Sequence, residues 1–415
     1  MKNVWAFCAC LCLIGPAYAD AQKPLRLNDA IQLALDASPS IKGADAEYGA
    51  ALGERRQASA YLNPTIGFDA ENVSGTGSFS GTDGAELTAG ISQTFEIGGK
   101  RSARIKAADQ GQVIARYGQS AAKLNLVRDV STAFTNAVAA QEEAAIATEQ
   151  ASLAHDVYKT VDKRVSAAAE PLVQRNKAKI LMANADLTAQ RAQGQKNGAL
   201  KVLGALWGSN MAVAIDPVDF YRIEKPNIDV DAQKLLQDTV DYKRTSAAAE
   251  QAKSLLDLER ANAVPNPTFN VGVRDFRASN DQALVAGVSI PLPVFNMNRG
   301  NIEKVRQQAI KANTDRQKLL LDGQMNLAER LQILQNAYLT ASSIKETILP
   351  EAQEAFAQAK RGYNAGKFAY LEVLDAQRTL TDTRMSYIQA LRDYHIQRAE
   401  IERLTAHDIV TGDKQ

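Results

Sequence analysis

Along most of this chain, apolar residues recur at spacings of three and four; in two pairs of segments they alternate with polar ones instead. Residues 86–97 read ELTAGISQTFEI. Leu87, Ala89, Ile91, Phe95 and Ile97 share one parity, Glu86, Thr88, Gly90, Ser92, Thr94 and Glu96 the other, and Gln93 alone interrupts the apolar side. A period of two over a dozen residues predicts a strand with one apolar face. Before it, across a Gly/Ser/Asp-rich loop at 74–84, Ile66, Phe68 and Ala70 alternate with Gly67, Asp69 and Glu71. The second half repeats the design. Phe269, Val271 and Val273 oppose Asn270, Gly272 and Arg274, and Leu284, Ala286, Val288 and Ile290 share a face after a short loop at 278–282. Each first strand opens on the same words, Asn63-Pro64-Thr65 and Asn266-Pro267-Thr268. The pattern predicts strands at about 64–73 and 85–97 in one half and about 267–275 and 283–292 in the other.

Between these hairpins the three-and-four spacing takes over, as in Val127, Val130, Phe134 and Val138 and in Leu327, Leu331, Leu334 and Tyr338. It predicts unbroken helices over about 102–164 and 301–361, rods of roughly 90 Å at 1.5 Å per residue, a length that points to coiled coil. Each rod should end in a reversal. At the first tip, 164–172, Pro171 suits the first turn of a new helix. At the second, 361–372, Asn364 and Gly366 can take the left-handed conformation that ends one. The chain thus divides into a first structural repeat over 20–215 and a second over 216–415. Ala133-Phe134 and Ala337-Tyr338 lie 204 residues apart whereas Arg164 and Arg361 lie 197 apart, which predicts a heptad-sized offset between the rods.

Strands of eight to twelve residues match those that span a bilayer. Four of them cannot close, and in lipid an open edge leaves backbone N–H and C=O groups unsatisfied at several kcal/mol each. Other copies of the chain must complete the sheet. Two copies give a barrel largely filled by side chains, and three give twelve strands around a conduit. The apolar parity then faces lipid and the polar parity faces water. A soluble sandwich is the competing arrangement, but four strands among such long rods make a poor one.

Composition sharpens this. Residues 1–19 have the three parts of a signal peptide: Lys2, an apolar run over 4–14, and Ala17-Tyr18-Ala19 before Asp20. Cys8, Cys10 and Cys12 all lie in it, so the exported chain has neither disulfides nor thiolate metal sites. With 48 basic and 47 acidic residues the chain lacks the electrostatic footprint of a nucleic-acid binder. No catalytic constellation is present. His155 and His395 sit in helical tracts and His407 near the tail, which suits structural or solvated roles, and nothing calls for a cofactor or a resident metal. The rival to a channel is a secreted coiled-coil adhesin, which explains the rods and the signal but not the duplicated hairpins.

The stretches LRLNDAIQLALDASPSIK (25–42), the paired NPT segments, SQTFEIGGKR (92–101), VSIPLPVFNMNRGNI (288–302) and YNAGKFAYLEVLDAQ (363–377) together resemble the TolC-like outer-membrane efflux factors. The wording at 96–105 and 289–302 is similar to the CzcC-like branch that serves heavy-metal pumps of the RND type; multidrug efflux and type I secretion are the alternatives within the family. The resemblance implies a mainly helical homotrimer with a twelve-stranded barrel in the outer membrane of a Gram-negative bacterium and a helical barrel in the periplasm. It further implies a passive conduit, with a periplasmic adaptor protein and an inner-membrane RND pump as partners. The family's acidic constriction maps onto Glu372 and Asp375, three residues apart and so on one helix face. Three copies place six carboxylates around one axis, a ring that attracts cations. Tyr363 and Gly366 match the tip tyrosine and turn glycine, and Glu170 is the acid of the first tip; these three are candidate contacts for adaptor or pump. Phe368 stands where the family's namesake has an arginine, and Ala167, Ala168 and Ala169 replace the first tip's glycine.

Overall fold

The computed structural model describes residues 24–209 and 214–407; the predicted signal peptide lies outside them. In chain order the elements are α1 (Leu27–Ala37), α2 (Pro39–Ala58), β1 (Thr65–Glu71), β2 (Glu86–Thr94), α3 (Lys100–Ser166) and α4 (Leu172–Ala205). The second half supplies α5 (Ala232–Gln237), α6 (Val240–Asn262), β3 (Thr268–Phe276), β4 (Asp281–Ser289), α7 (Arg299–Ser343), α8 (Leu349–Asn364) and α9 (Tyr370–Thr405). Each half therefore reads helix, hairpin, long rod, reversal, returning helix. α3 alone has 67 residues, roughly 100 Å.

The second rod is interrupted where an unbroken helix was expected. Pro350 in the first turn of α8 has no N–H to give and crowds the preceding turn. A five-residue π turn, Ile344–Ile348, precedes it, with the Leu349 N–H reaching back to the Ile344 carbonyl. The two rods are nonetheless alike in extent. Lys100 and Arg299 open the two rods and Ser166 and Asn364 close them, so they match in length to within one residue.

Long helices of low intrinsic amphipathicity hold together here through small residues that let backbones approach. α3 lies against α4, α2 and α6, and α7 against α6 and α9. The contacts carry Ala103, Ala107, Ala144, Ala147, Ala151, Ala178 and Ala192, all buried. Larger apolar residues gather in one belt along the rods. There Val130, Phe134 and Val138 of α3 meet Tyr387, Ile388 and Leu391 of α9, with Ala30 and Ala34 of α1 and Leu200 and Leu203 of α4. Leu25 and Ile215 close the belt through an isolated parallel bridge.

The four strands form one antiparallel sheet in the order β1-β2-β3-β4, so the two hairpins pair through β2 and β3. Among the described residues no second sheet and no helix covers either face. That removes the sandwich. No described helix is long and apolar enough to cross a membrane.

Candidate functional site: an uncovered sheet and an acidic tip

Register fixes what each face of the sheet presents. Ile66, Ile91, Val271 and Ala286 lie side by side across all four strands, and the next row is Phe68, Ala89, Val273 and Leu284. Toward the rods, the row runs Gln93, Phe269 and Val288, and the Gln93 amide nitrogen turns back to the Leu62 and Thr94 carbonyls. Phe95, one residue past β2, meets Phe269 edge to face at 5.5 Å. Leu87, Ala89 and Ile91 of this parity are solvent-exposed, whereas the opposite parity of β2 is half-buried although no other element covers it among the described residues. Curling of the sheet explains the difference.

The other face is polar. Asp69, Thr88 and Arg274 share a row that ends on Ala283, and the outermost row runs Glu71, Glu86, Phe276 and Asp281. Arg274 ties three strands together, reaching Glu71 at 2.7 Å, Glu86 at 2.9 Å and the Thr88 hydroxyl at 2.9 Å. Gly67, Gly90 and Gly272 form a row on this concave side. A Cβ on Gly272 would lie 2.7 Å from the Ala89 carbonyl oxygen, so the strands curl too tightly there for any side chain.

At the far end of the rods the two reversals have the same construction. In the first, the Ala168 N–H bonds to the Val165 carbonyl and the Ala169 N–H to that of Arg164; in the second, Gly366 bonds to Tyr363 and Lys367 to Gly362. Both are Schellman motifs, with the left-handed residue at Ala168 (φ 54°) and Gly366 (φ 70°). The first tip thus lacks the glycine but not the turn. Asn364, the other expected left-handed residue, ends α8 instead. Pro171 is the N-cap of α4, one residue before the expected first turn. Phe368 lies across Gly362, where a Cβ would come within 2.2 Å of the ring.

The tips are cross-linked by a residue to which sequence reasoning gave no role. Arg164 donates to the Tyr363 hydroxyl at 2.6 Å, sits 5.5 Å from the centre of its ring, and pairs with Glu170 at 3.4 Å. Tyr363 in turn packs on Tyr370 at 5.6 Å. Burial, with Tyr363 and Glu170 nearby, pushes the Tyr370 hydroxyl up to about 12. Phe368 in place of an arginine therefore does not leave Tyr363 without one; the guanidinium comes from the first tip. Its only sequence signal was that Arg164 and Arg361 recur at matching places before the two turns.

Glu372 and Asp375 lie in the first two turns of α9, both exposed. Neither side chain has a hydrogen bond or ion pair among the described residues. Elsewhere acids on the rods face a cation one turn away, as in Lys311–Asp315, Lys318–Asp322 and Arg378–Asp382. The structure brings Tyr363 and Glu170 together through Arg164 and leaves Glu372 and Asp375 apart from them.

The outer membrane efflux protein family model matches residues 30–209 and 232–407, one match for each structural repeat. This chain belongs to that family. It is 30% identical over 392 residues to the cobalt-zinc-cadmium resistance protein CzcC of Cupriavidus metallidurans, covering 93% of this chain and 91% of the relative. With the nickel and cobalt resistance protein CnrC of the same organism it shares 27% identity over 325 residues, 78% of this chain and 77% of the relative. Its fold is that of the outer membrane protein VceC from Vibrio cholerae, with a TM-score of 0.74 at 23% identity over 92% of this chain and 96% of the other. The protein is thus an efflux channel component of the outer membrane, its rods belonging to the periplasm.

Proposed function

We propose that three copies close into a twelve-stranded barrel in the outer membrane, continued by their rods into a periplasmic tunnel that discharges heavy-metal cations. The observation that carries this is the uncovered sheet, apolar on its exposed face and charged on its concave one, with one edge of β1 and one of β4 unpaired among the described residues. In lipid those edges need partners, and copies of the same chain supply them. An adaptor and an inner-membrane pump of the RND type complete the path and supply the energy. The names of the relatives, which are resistance proteins for cobalt, zinc, cadmium and nickel, support divalent metals over drugs as cargo.

At the periplasmic end, Glu372 and Asp375 of each copy ring the pore, while Tyr363, Gly366 and Glu170 shape the tip that adaptor or pump meets. The missing cation partners of Glu372 and Asp375 favour this over an ordinary solvated face. Mass measurement in mild detergent should give three copies, and deletion of the gene should sensitise cells to cobalt, zinc or cadmium. A native monomer contradicts the barrel, and sensitisation to drugs alone favours the multidrug alternative.

A further inference from the structure

The two repeats differ where the sheet gives way to the long rods. Five residues, 95–99, join β2 to α3, whereas nine, 290–298, join β4 to α7. Both joints end on a left-handed residue, Gly99 and Asn298, that opens the helix in the same manner. The extra length is therefore not needed to start the rod. It reads IPLPVFNMN, and Ile290, Leu292, Val294, Phe295 and Met297 are all exposed, the Phe295 ring fully so. We propose that residues 290–297 are an interfacial membrane anchor, inserted at the boundary between headgroups and acyl chains on the rod side of the barrel. The inference rests on the lipid-facing assignment of the sheet.

Three features point to lipid. Pro291 and Pro293 have no N–H, and the Val294 N–H is folded back to the Leu292 carbonyl at 2.9 Å, so the segment offers few donors for extending a ladder. Arg299 at its base is exposed, and its one polar contact among the described residues is the Met297 sulfur at 3.3 Å. An exposed aromatic and, four residues on, a guanidinium with no carboxylate partner among the described residues suit a phosphate-bearing interface. The base is also held at fixed height, because the Asn298 amide donates to the Glu259 carboxylate at 2.7 Å and to its backbone carbonyl at 2.8 Å at the end of α6. A second copy would join β4 in the plane of the sheet. Leu284, Ala286 and Val288 project out of that plane, and Ile290 and Leu292 continue their parity.

The chain beyond the A-x-A site has no cysteine, so single nitroxide labels can be placed on it. Phe295→Cys and, separately, Val294→Cys are labelled in the full exported chain reconstituted in phosphatidylethanolamine–phosphatidylglycerol vesicles. Ile91→Cys reports the lipid face and Thr88→Cys the lumen. Power saturation should show oxygen relaxing the labels at 294 and 295 several-fold more than a water-soluble nickel chelate does, with the ratio reversed at 88. Nickel dominating at 294 and 295 overturns the anchor, and so does protection from both reagents, which means burial against a second copy. Water exposure at 91 would instead refute the barrel assignment, so the two failures are distinguishable.

Discussion

Ile91 occupies the middle of the exposed apolar band, and replacing it by arginine tests that band most directly. Along β2 and the residue after it, the outward positions run Leu87, Ala89, Ile91, Gln93 and Phe95, so Ile91 lies four positions from either end. At about 3.4 Å per residue that is roughly 13 Å along the strand, or about 10 Å of depth at a tilt near 40°. A stretched arginine covers part of this distance by snorkelling. The cost of Ile91→Arg should therefore fall in the lower half of the midplane range, about 2–3 kcal/mol per copy, or roughly 6–9 kcal/mol per trimer. Leu87→Arg at the rim should cost about 0–1 kcal/mol. Ser92→Arg points to the concave side, beside Thr65 and Asn270, and meets no lipid. The assay is the fraction of heat-resistant oligomer after refolding into vesicles, followed through a urea titration. Equal losses for Ile91→Arg and Ser92→Arg, or for Ile91→Arg and Leu87→Arg, would refute the lipid-facing assignment.

Three further outcomes are expected. Glu372→Gln with Asp375→Asn should leave oligomer yield unchanged, since exposed carboxylates contribute little to stability, while lowering cation selectivity and abolishing divalent block in planar bilayers; unchanged selectivity places these acids away from the constriction. Ala168→Gly removes a left-handed alanine and should stabilise the first tip by up to about 1 kcal/mol, read as slower proteolysis at 165–171; faster cleavage contradicts the strain argument. His395 donates to the Phe220 carbonyl at 2.8 Å, stacks on that ring, and faces Arg398, Glu402 and Asp219. Burial lowers its pKa, so the unfolded chain takes up the proton first and stability falls as pH drops below about 6.5. The loss of melting temperature between about pH 7.5 and about 5.5 should shrink in His395→Gln, and an equal loss in both proteins assigns it to other groups.

Sequence alone determined the periodic features. Alternation at 86–97 and about 267–275 specified strands and their apolar parity, because side chains on a pleated strand switch faces at every residue. Recurrence of NPT and of the two tips specified the repeat, since each is a local turn signal. Even the glycine at 366 was legible, because left-handed backbone singles it out. Tertiary structure decided what depends on distant residues meeting. The pairing of β2 with β3, the Gly67–Gly90–Gly272 row that curls the sheet, and the reach of Arg274 across three strands all join residues well apart in the chain. So does Arg164, which meets a tyrosine 199 positions away and supplies that tyrosine with a guanidinium although Phe368 stands in the second tip. Pro350 shows the converse. Its residue type is written in the sequence, but whether a proline ends a long helix or is absorbed by a π turn depends on packing against α9, which holds the two segments in line.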